Sequence, residues 1–370
     1  MHISVSGSLL TQNIVRNKIV EKLHNILSAY GLLDESSEIE DFGTGLINHT
    51  WKIKSGGESF ILQKVNSTVF KEPADIAYNI RLVADHLEKH HPEYRFVAPR
   101  KTLKGEELVY WADQGYYRLF PFVSGSHSKD VVGAPEQAFE AAKQFGRFTR
   151  LLHGLDTGQL RITIPCFHDL GLRYEQFLRA LANGNQQRVN ESSNLVSFMI
   201  SNADIVSEYR NIKTNPEFKL RVTHHDTKIS NVLFDDHGNG ICVIDLDTVM
   251  PGYFISDLGD MMRTYLSPVS EEENDTARIY IREDFYKAIV QGYYNEMKDE
   301  LTSIEKKYFF YAGTFMIYMQ ALRFLTDFLN NDVYYGAKYP RHNLVRARNQ
   351  MVLLKRMMEK KDLLERSIEL

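Results

Sequence analysis

The spacing of hydrophobic residues changes about a third of the way along the chain. Before residue 123, apolar and polar residues follow strand-like patterns in EIEDF, INHTWKI, ESFILQKVN and YYRLFPFVSG. A glycine turn, GTG, separates the first two of these segments. The segment EPADIAYNIRLVADHLEKHH has helical spacing instead, and its proline suits the first turn of a helix. This region is therefore predicted to be β-rich, with one main helix.

Helical spacing dominates the rest of the chain. EQAFEAAKQFGRFTRLLHGL and the segments after residues 171 and 280 are long helical patterns. The exception is VTHHDTKISNVLFDDHGNGICVIDLDTVMPG, residues 222–252, which predicts two short strands joined by a turn at DDHGNG. The whole pattern predicts an α+β fold with two domains. Residues 1–122 form a small β-rich N-terminal domain, and residues 123–370 form a larger helical C-terminal domain.

Two segments bear on membrane association and export. The most apolar one, YFFYAGTFMIYMQALRFLTDFL, contains Gln320, Arg323 and Asp327. A lipid-facing helix tolerates such side chains poorly, so we predict a buried helix of a soluble protein. The N-terminal residues MHISVSGSLLTQN lack a basic region followed by an apolar core, so we expect no signal peptide.

Composition and charge narrow the possible partners. The 370 residues are 43% hydrophobic and 25% charged, with a formal net charge of −4. This charge gives no general reason to bind nucleic acid or an anionic membrane. The two cysteines, Cys166 and Cys242, are far apart in sequence. They argue against a disulfide scaffold or a zinc site and suit a reducing cytoplasm.

Residues 222–252 also contain side chains that suit phosphoryl transfer. In HHDTKISN, Lys228 and Asn231 follow Asp226 closely enough for one tight loop to bring the three side chains together. Phosphoryl transfer needs a carboxylate to deprotonate the attacking hydroxyl, a cation near the phosphate and an oxygen ligand for Mg²⁺. ICVIDLDT then ends a strand with Asp245 and Asp247. Because a buried carboxylate is costly unless it is paired or binds a metal, these residues predict a magnesium site.

Taken alone, Asp226, Asn231 and Asp245 are typical of a surface turn with capping side chains, Lys228 of a solvated charge, and Asp247 of a hydrogen bond to the backbone of the loop that follows. Their combination and their order along the chain are what indicate phosphoryl transfer. The pattern H-x-D-x-K-x-x-N followed by I-D-x-D resembles the catalytic and metal loops of the aminoglycoside phosphotransferase and choline kinase superfamily. The strings GTGLINHTW, FILQKVNSTVF, HHDTKISNVLFD, IDLDTVMPG and LRFLTDFLNNDVYY resemble the N-acetylhexosamine 1-kinase family within it. The resemblance extends from about residue 38 to about residue 350.

The resemblance implies a protein-kinase-like fold with two lobes and an active site in the cleft. Asp226 is the implied catalytic base, which also touches the anomeric hydroxyl of the sugar, and Lys228 faces the γ-phosphate. The implied Mg²⁺ ligands are Asn231, Asp245 and Asp247. Arg323 and Tyr334 match positions that line the sugar pocket. An ion pair between Arg323 and Asp327, one helical turn apart, is the alternative for that arginine.

The N-terminal domain is the implied nucleotide-binding lobe, and the C-terminal domain the catalytic and sugar-binding lobe. ATP lies under the glycine turn and its adenine lies against the connector after the last strand. The implied nucleotide-binding residues are Gly43, Thr44, Gly45, Gln63, Lys64, Phe120, Phe122 and Val123. "SDLGDMMR" offers Asp257 and Asp260, which are expected to brace the catalytic loop through hydrogen bonds.

The chain departs from the family pattern at four places. Leu46 occupies the position where the family often has a sugar-binding His. Gln63 occupies the position of the lysine that holds the α- and β-phosphates, with Lys64 next to it. Because side chains alternate along a strand, only one of these two faces the nucleotide. The helix EPADIAYNI has no clear acidic partner for such a lysine, and His225 replaces a small residue before the base.

The expected function is an ATP- and Mg²⁺-dependent kinase that phosphorylates the C1 hydroxyl of an N-acetylhexosamine. Its partners are ATP and a small-molecule sugar, and its oligomeric state is left open. A kinase of the same fold that acts on choline, homoserine, an aminoglycoside or another sugar is the nearest alternative. A nucleotide-binding module without catalysis is the alternative from another class. A protein kinase is disfavoured because no D-F-G or A-P-E string follows HHDTKISN in the chain, where a protein kinase has both.

Overall fold

A computed structural model of the chain describes residues 23–32, 37–43, 47–112 and 114–368. The chain divides into two compact units. One runs up to Asp85 and continues from Phe96 to Ser124, and the other comprises His86–Arg95 and the chain from Gly125 onward. The first unit is built on a sheet, and the second is mainly helical. The predicted α+β composition is therefore confirmed, with the β-rich part in the N-terminal third of the chain.

The first unit contains a five-stranded antiparallel sheet with the strand order β1-β2-β3-β5-β4. The strands are β1 Glu38–Asp41, β2 His49–Ser55, β3 Glu58–Lys64, β4 Val109–Trp111 and β5 Gly115–Pro121. Four of them were predicted from the alternation of apolar residues. β4 was not predicted, because a strand of three residues is too short to show a period of two.

One face of this sheet forms the core of the first unit. Trp51, Leu62 and Tyr117 lie on that face and pack with the helical residues 23–28. Because side chains alternate along a strand, Lys64 lies on the same face as Leu62, and Gln63 lies on the opposite one. The apolar helical residues therefore cover the face that carries Lys64.

Helix α1, Pro73–His90, begins at its proline, as the sequence predicts. Proline suits this position because its missing N–H would have no partner in the first turn of a helix. Residues of α1 that recur every three or four positions, such as Ile76, Ile80 and Val83, are buried. The predicted helical face is therefore confirmed.

The second unit contains the remaining helices and two short antiparallel ribbons. The helices are α2 Pro135–Leu151, α3 Leu170–Asn183, α4 Gln186–Glu191, α5 Ser193–Ser201, α6 Asp204–Thr214, α7 Phe254–Tyr265, α8 Glu283–Met297, α9 Phe309–Leu329, α10 His342–Glu359 and α11 Lys361–Arg366. The ribbons pair β6 Arg221–Thr223 with β9 Met250–Gly252, and β7 Val232–Phe234 with β8 Gly240–Val243. The β7–β8 ribbon is the hairpin predicted around DDHGNG.

Helix α9 is the predicted buried helix. It packs against α7 and α10, and nearly all of its side chains are buried. Gly259 of α7 allows close packing, because a Cβ at that position would lie 2.3 Å from the carbonyl oxygen of Ala312. Across the residues that the structure describes, no helix is long and apolar enough to cross a membrane.

Candidate active site

The loop between β6 and β7 contains the predicted catalytic residues, and α7 holds its backbone. The Asp257 carboxylate accepts hydrogen bonds from the backbone N–H groups of His224, at 3.0 Å, and His225, at 2.7 Å. The Asp260 carboxylate accepts one from the backbone N–H of Thr227, at 2.9 Å. The expectation that these two aspartates brace the loop is confirmed. They fix the backbone on both sides of Asp226.

Burial governs the ionisation of both bracing aspartates. Burial raises the pKa of Asp257 to about 6, although the hydrogen bonds from the loop oppose this shift. Burial also raises the pKa of Asp260, against the attraction of Arg263, whose guanidinium lies 2.9 Å away. For each carboxylate, the hydrogen-bond donors and cations around it favour the charged form, and burial disfavours the charged form.

His225, just before Asp226, has a left-handed backbone with φ of +66°. This conformation is uncommon for residues other than glycine and is held here by contacts. The His225 ring contacts Thr223 Oγ1 at 2.7 Å and Ser256 Oγ at 2.7 Å. A Cβ on Gly252 would lie 2.4 Å from the ring, so a glycine there makes room for the imidazole. The histidine that replaces a small residue is therefore accommodated by the packing around it.

Burial lowers the pKa of His225 to about 4, so its imidazole is neutral at neutral pH. The neighbouring His168 Nδ1 lies 2.5 Å from the same Ser256 hydroxyl. Burial, followed by the charge of His225, places the pKa of His168 well below its ordinary value. The sequence offered no spacing signal for His168, because its contact with the loop joins segments far apart in the chain.

The side chains of Asp226, Lys228 and Asn231 are brought together, as predicted. Lys228 Nζ lies 2.9 Å from an Asp226 carboxylate oxygen. Asn231 Nδ2 donates a 2.9 Å hydrogen bond to the backbone carbonyl of Asp226. Burial lowers the pKa of Lys228, but the carboxylates of Asp226 and Asp245 more than reverse this, and the net shift is upward. Lys228 is therefore a stable cation between two predicted site residues.

Asp245 and Asp247 follow β8 and are linked to this loop through the backbone. The N–H of Ile244 donates to the carbonyl of Asn231 at 2.9 Å, and the His224 ring contacts the Ile244 carbonyl at 2.9 Å. Asp245 has a left-handed backbone with φ of +61°, which aspartate tolerates better than most residues. Asp247 is buried in the short turn that follows. These contacts connect the two segments that carry the predicted metal ligands.

The donor set around the loop suits a hard cation such as Mg²⁺. Asn231 offers an amide oxygen, because its amide nitrogen is used in the bond to Asp226, and Asp245 and Asp247 offer carboxylate oxygens. Among the described residues, no group of three or more His, Cys, Asp or Glu side chains is arranged to hold a metal ion.

Arg323 and Tyr334 line a pocket of about 420 Å³ in the second unit. The Arg323 guanidinium lies 5.9 Å from the centre of the Tyr334 ring and 5.8 Å from that of Phe167. The Phe167 ring in turn lies 6.4 Å from the His225 ring, next to Asp226. Two ring contacts therefore connect the pocket to the catalytic loop.

The alternative pairing of Arg323 with Asp327 is not what the structure favours. Asp327 accepts hydrogen bonds from the backbone N–H groups of Tyr334, at 2.7 Å, and Tyr335, at 2.9 Å. It also accepts one from the Asn343 side chain at 3.1 Å. Asp327 therefore shapes the segment that carries Tyr334, and the Arg323 guanidinium donates to Gln320 at 3.3 Å instead.

Two of the predicted nucleotide-binding residues, Thr44 and Gly45, lie outside the residues that the structure describes. Leu46 also lies outside the described residues. The other predicted nucleotide-binding residues lie in the first unit. Gly43 has a φ of +77°, a backbone conformation that glycine adopts readily and other residues do not. Phe120 lies on β5, and the backbone N–H of Phe122 donates to the Ser59 carbonyl at 3.0 Å, while Val123 follows as part of the connector.

Gln63 and Lys64 have different partners. Arg118, on the neighbouring strand β5, donates to Gln63 Oε1 through Nε at 3.1 Å and Nη2 at 2.9 Å. Lys64 Nζ lies 6.0 Å from the centre of the Tyr117 ring, on the face covered by the apolar core. The face that carries Gln63 therefore also carries a buried arginine.

The fold has many relatives among solved structures. A spectinomycin phosphotransferase in complex with ADP and spectinomycin has a TM-score of 0.57 and 14% identity, over 92% of this chain and 98% of that chain. A choline kinase from Cryptosporidium parvum has a TM-score of 0.57 and 15% identity, over 93% and 97%. An amicoumacin kinase in complex with AMP-PNP and Ca²⁺ has a TM-score of 0.56 and 14% identity, over 86% and 88%. At these identities the similarity shows the fold alone, which is the α+β kinase-like fold of small-molecule kinases.

The chain belongs to the phosphotransferase enzyme family, whose profile matches residues 38–294. The match covers most of the chain, including the sheet, the catalytic loop and α7. The protein is therefore a phosphotransferase of the aminoglycoside phosphotransferase and choline kinase-like superfamily. The family assignment agrees with the phosphotransferase activity that the sequence predicts.

Proposed function

We propose that the protein is an anomeric sugar kinase that transfers the γ-phosphoryl group of ATP to the C1 hydroxyl of an N-acetylhexosamine. The observation that carries this proposal is the pocket that contains Arg323, which the Phe167 ring connects to His225 of the catalytic loop. Its charged lining includes the guanidinium groups of Arg173, Arg179 and Arg323. Choline and aminoglycosides are cations, which these groups repel, whereas arginine and tyrosine side chains suit the hydroxyl and amide groups of a sugar.

Asp226 is the proposed catalytic base. It accepts the proton of the sugar hydroxyl as the hydroxyl oxygen forms a bond to the γ-phosphorus. The bond between that phosphorus and the β–γ bridging oxygen breaks, and ADP leaves with the electron pair. The brace from Asp257 and Asp260 supports this role, because a base must be held in position relative to the hydroxyl.

Lys228 is proposed to contribute positive charge near the transferring phosphate. The carboxylates beside it keep it charged, and the phosphoryl group carries its negative charge through the reaction. Asn231, Asp245 and Asp247 are proposed to hold Mg²⁺, which supplies neutralisation of phosphate charge when it is bound. Arg323 and Tyr334 are proposed to bind the sugar.

In the first unit, Gln63 is proposed to face the nucleotide, and Lys64 is proposed to lie on the opposite face of the sheet. The apolar residues that pack against the Lys64 face support this assignment. The Arg118 guanidinium, held by Gln63, then supplies the positive charge that the family usually takes from a lysine on this strand. Gly43, Thr44 and Gly45 are proposed to contact the phosphates, and Phe120, Phe122 and Val123 the adenine. Leu46 is proposed to take part in substrate binding.

The proposal is tested by ³¹P NMR of the purified protein with Mg·ATP and a set of acceptors. The set contains N-acetylgalactosamine, N-acetylglucosamine, galactose and glucose, with choline and an aminoglycoside as controls. A new sugar 1-phosphate signal, coupled to the anomeric proton, is the expected result for an N-acetylhexosamine. A product formed only from choline or the aminoglycoside would overturn the proposed acceptor and leave the kinase assignment in place.

A further inference from the structure

The pocket that contains Arg323 has an excess of positive charge. Arg173 and Arg179 of α3 and Arg323 of α9 line it, and Asp327 is the carboxylate among its lining residues. That carboxylate already accepts three hydrogen bonds, from two backbone N–H groups and the Asn343 amide. The remaining polar lining is neutral and comes from Gln, Asn, Thr and Tyr side chains. The pocket therefore suits a ligand that brings negative charge.

Arg173 and Arg323 interact with neutral groups rather than with acids. Arg173 donates to the backbone carbonyls of Cys166, at 3.0 Å, and Phe167, at 3.3 Å, and to the Gln176 side chain at 3.0 Å. Arg323 donates to Gln320 and lies against three aromatic rings. Within the described ranges, neither arginine has a carboxylate at ion-pair distance.

The two arginines also repel each other. Burial lowers the pKa of Arg173, and the positive charge of Arg323 is the next cause of that shift. Two guanidinium groups that face one pocket in partly dehydrated surroundings favour an anion between them, because the anion relieves the repulsion. Guanidinium groups bind carboxylate, sulfate and phosphate oxygens through charge-assisted hydrogen bonds.

We propose that the acceptor sugar carries an anionic group, and that Arg323 and Arg173 bind that group with Arg179 at the edge of the pocket. The chemical class is a hydroxylated sugar with a sulfate, phosphate or carboxylate away from the reacting hydroxyl. This inference rests on the function proposed above and narrows its acceptor. The ring contacts from Arg323 through Phe167 to His225 place the anionic group at the end of the acceptor remote from Asp226.

The experiment compares two acceptors that differ by one anionic group, N-acetylglucosamine and N-acetylglucosamine 6-sulfate. N-acetylglucosamine 6-phosphate and the pair glucose and glucuronate test whether other anions serve. KM and kcat are measured for each acceptor with saturating Mg·ATP, and binding is measured separately by calorimetry. We expect the sulfated acceptor to have a KM about tenfold lower than the neutral one, as one charge-assisted hydrogen bond provides.

Two variants change the pocket, and a third serves as a control outside it. Arg323→Gln and Arg179→Gln are expected to reduce the preference for the sulfated acceptor, the first by about tenfold and the second by less, because Arg179 lies at the exposed edge. Arg356→Gln removes an exposed arginine of α10 that pairs with Glu359, and it is the matched control. Melting temperatures show whether each variant folds. If Arg323→Gln does not fold, Arg179→Gln still tests the inference.

The outcomes separate this inference from the proposed function. Phosphorylation of neutral sugars, with equal or weaker binding of the anionic ones, would overturn the inference and leave the kinase proposal standing. A preference for the anion that survives in both pocket variants would also overturn the inference. If no sugar is phosphorylated although ATP binds, the proposed function fails. In that case the calorimetric comparison of the two acceptors still decides whether the pocket binds the anion.

Discussion

Lys228 Nζ lies 2.9 Å from an Asp226 carboxylate oxygen, inside a loop whose backbone is bonded to two aspartates of α7. In the proposed mechanism, this pair places the carboxylate that accepts the hydroxyl proton beside the cation that contacts the phosphate. Neither side chain is fully buried, so both are accessible to ligands. The first two predictions concern these two residues.

Asp226→Asn should reduce kcat by a factor of about 10² to 10⁴, because a general base contributes an acceleration of that size. ATP affinity should change little, since the substitution removes a proton acceptor and not a nucleotide contact. Steady-state kinetics with a calorimetric ATP titration measure both quantities. Asp236→Asn, in the exposed turn of the β7–β8 hairpin, is the matched control. A near-normal kcat in Asp226→Asn would refute the assignment of the base.

Lys228→Gln should lower kcat more than tenfold, because an ion contact to the phosphoryl group is lost in the transition state. Lys228→Arg should restore part of the activity, because it keeps the charge but changes its position. Lys219→Gln is the control, because the Lys219 ammonium lies in an exposed segment and donates to the Pro216 carbonyl. Equal activity of the Gln and Arg variants would argue that the charge of Lys228 does not matter.

His225 should make the second unit less stable in acid. Its pKa is about 4 in the folded protein and about 6.5 in an unfolded chain, so the unfolded state binds more protons between these values. The stabilisation is complete above pH 6.5 and is lost as the pH falls towards 4. Its full size is about 3 kcal/mol, from about 1.4 kcal/mol per pKa unit.

Urea unfolding of the wild type and of His225→Gln at pH 7.5 and pH 5 measures this contribution. The free energy of unfolding of the wild type should fall more between the two pH values than that of the variant. Asp257 acts in the opposite sense, because its folded pKa of about 6 exceeds that of an unfolded aspartate and its contribution falls as the pH rises. A wild type and variant with the same pH dependence would contradict the buried neutral state of His225.

Gln63→Ala should raise the KM for ATP several-fold, because Arg118 would lose the acceptor that orients it. Lys64→Ala should leave the KM for ATP unchanged, because Lys64 lies on the face of the sheet covered by the apolar core. The two neighbouring residues are thus each other's control. A rise in KM for Lys64→Ala alone would assign the phosphate contact to Lys64.

Much of the fold follows from the sequence, because its main elements have strong local patterns. The alternating segments become β1, β2, β3 and β5, and the apolar segment after Tyr308 becomes the buried helix α9. The three-residue strands β4, β6 and β9 are too short to show a pattern and depend on pairing with distant partners. Local spacing therefore identified the long elements, the turn residues DDHGNG identified the short β7–β8 hairpin, and the other short strands were missed.

The site was predictable to a similar extent. Asp226, Lys228 and Asn231 lie within six residues, so their proximity was readable from the sequence, and the structure brings them together. The contact of Gln63 with Arg118 joins residues on different strands, and the pocket joins Arg173 of α3 to Arg323 of α9. Such contacts depend on how separate elements pack, and single-sequence patterns do not contain that information. Their roles in binding remain predictions.

The contacts of α7 have a consequence for how this enzyme can change its specificity. One side of α7 holds the backbone around Asp226, and Gly259 brings the helix against α9, which carries Arg323. Exposed pocket residues such as Arg179 and Tyr334 have no part in those contacts. If the pocket binds the acceptor as proposed, substitutions at its edge would exchange one acceptor for another while the reactive centre keeps its geometry, and a lineage would acquire new substrates without rebuilding its catalytic apparatus.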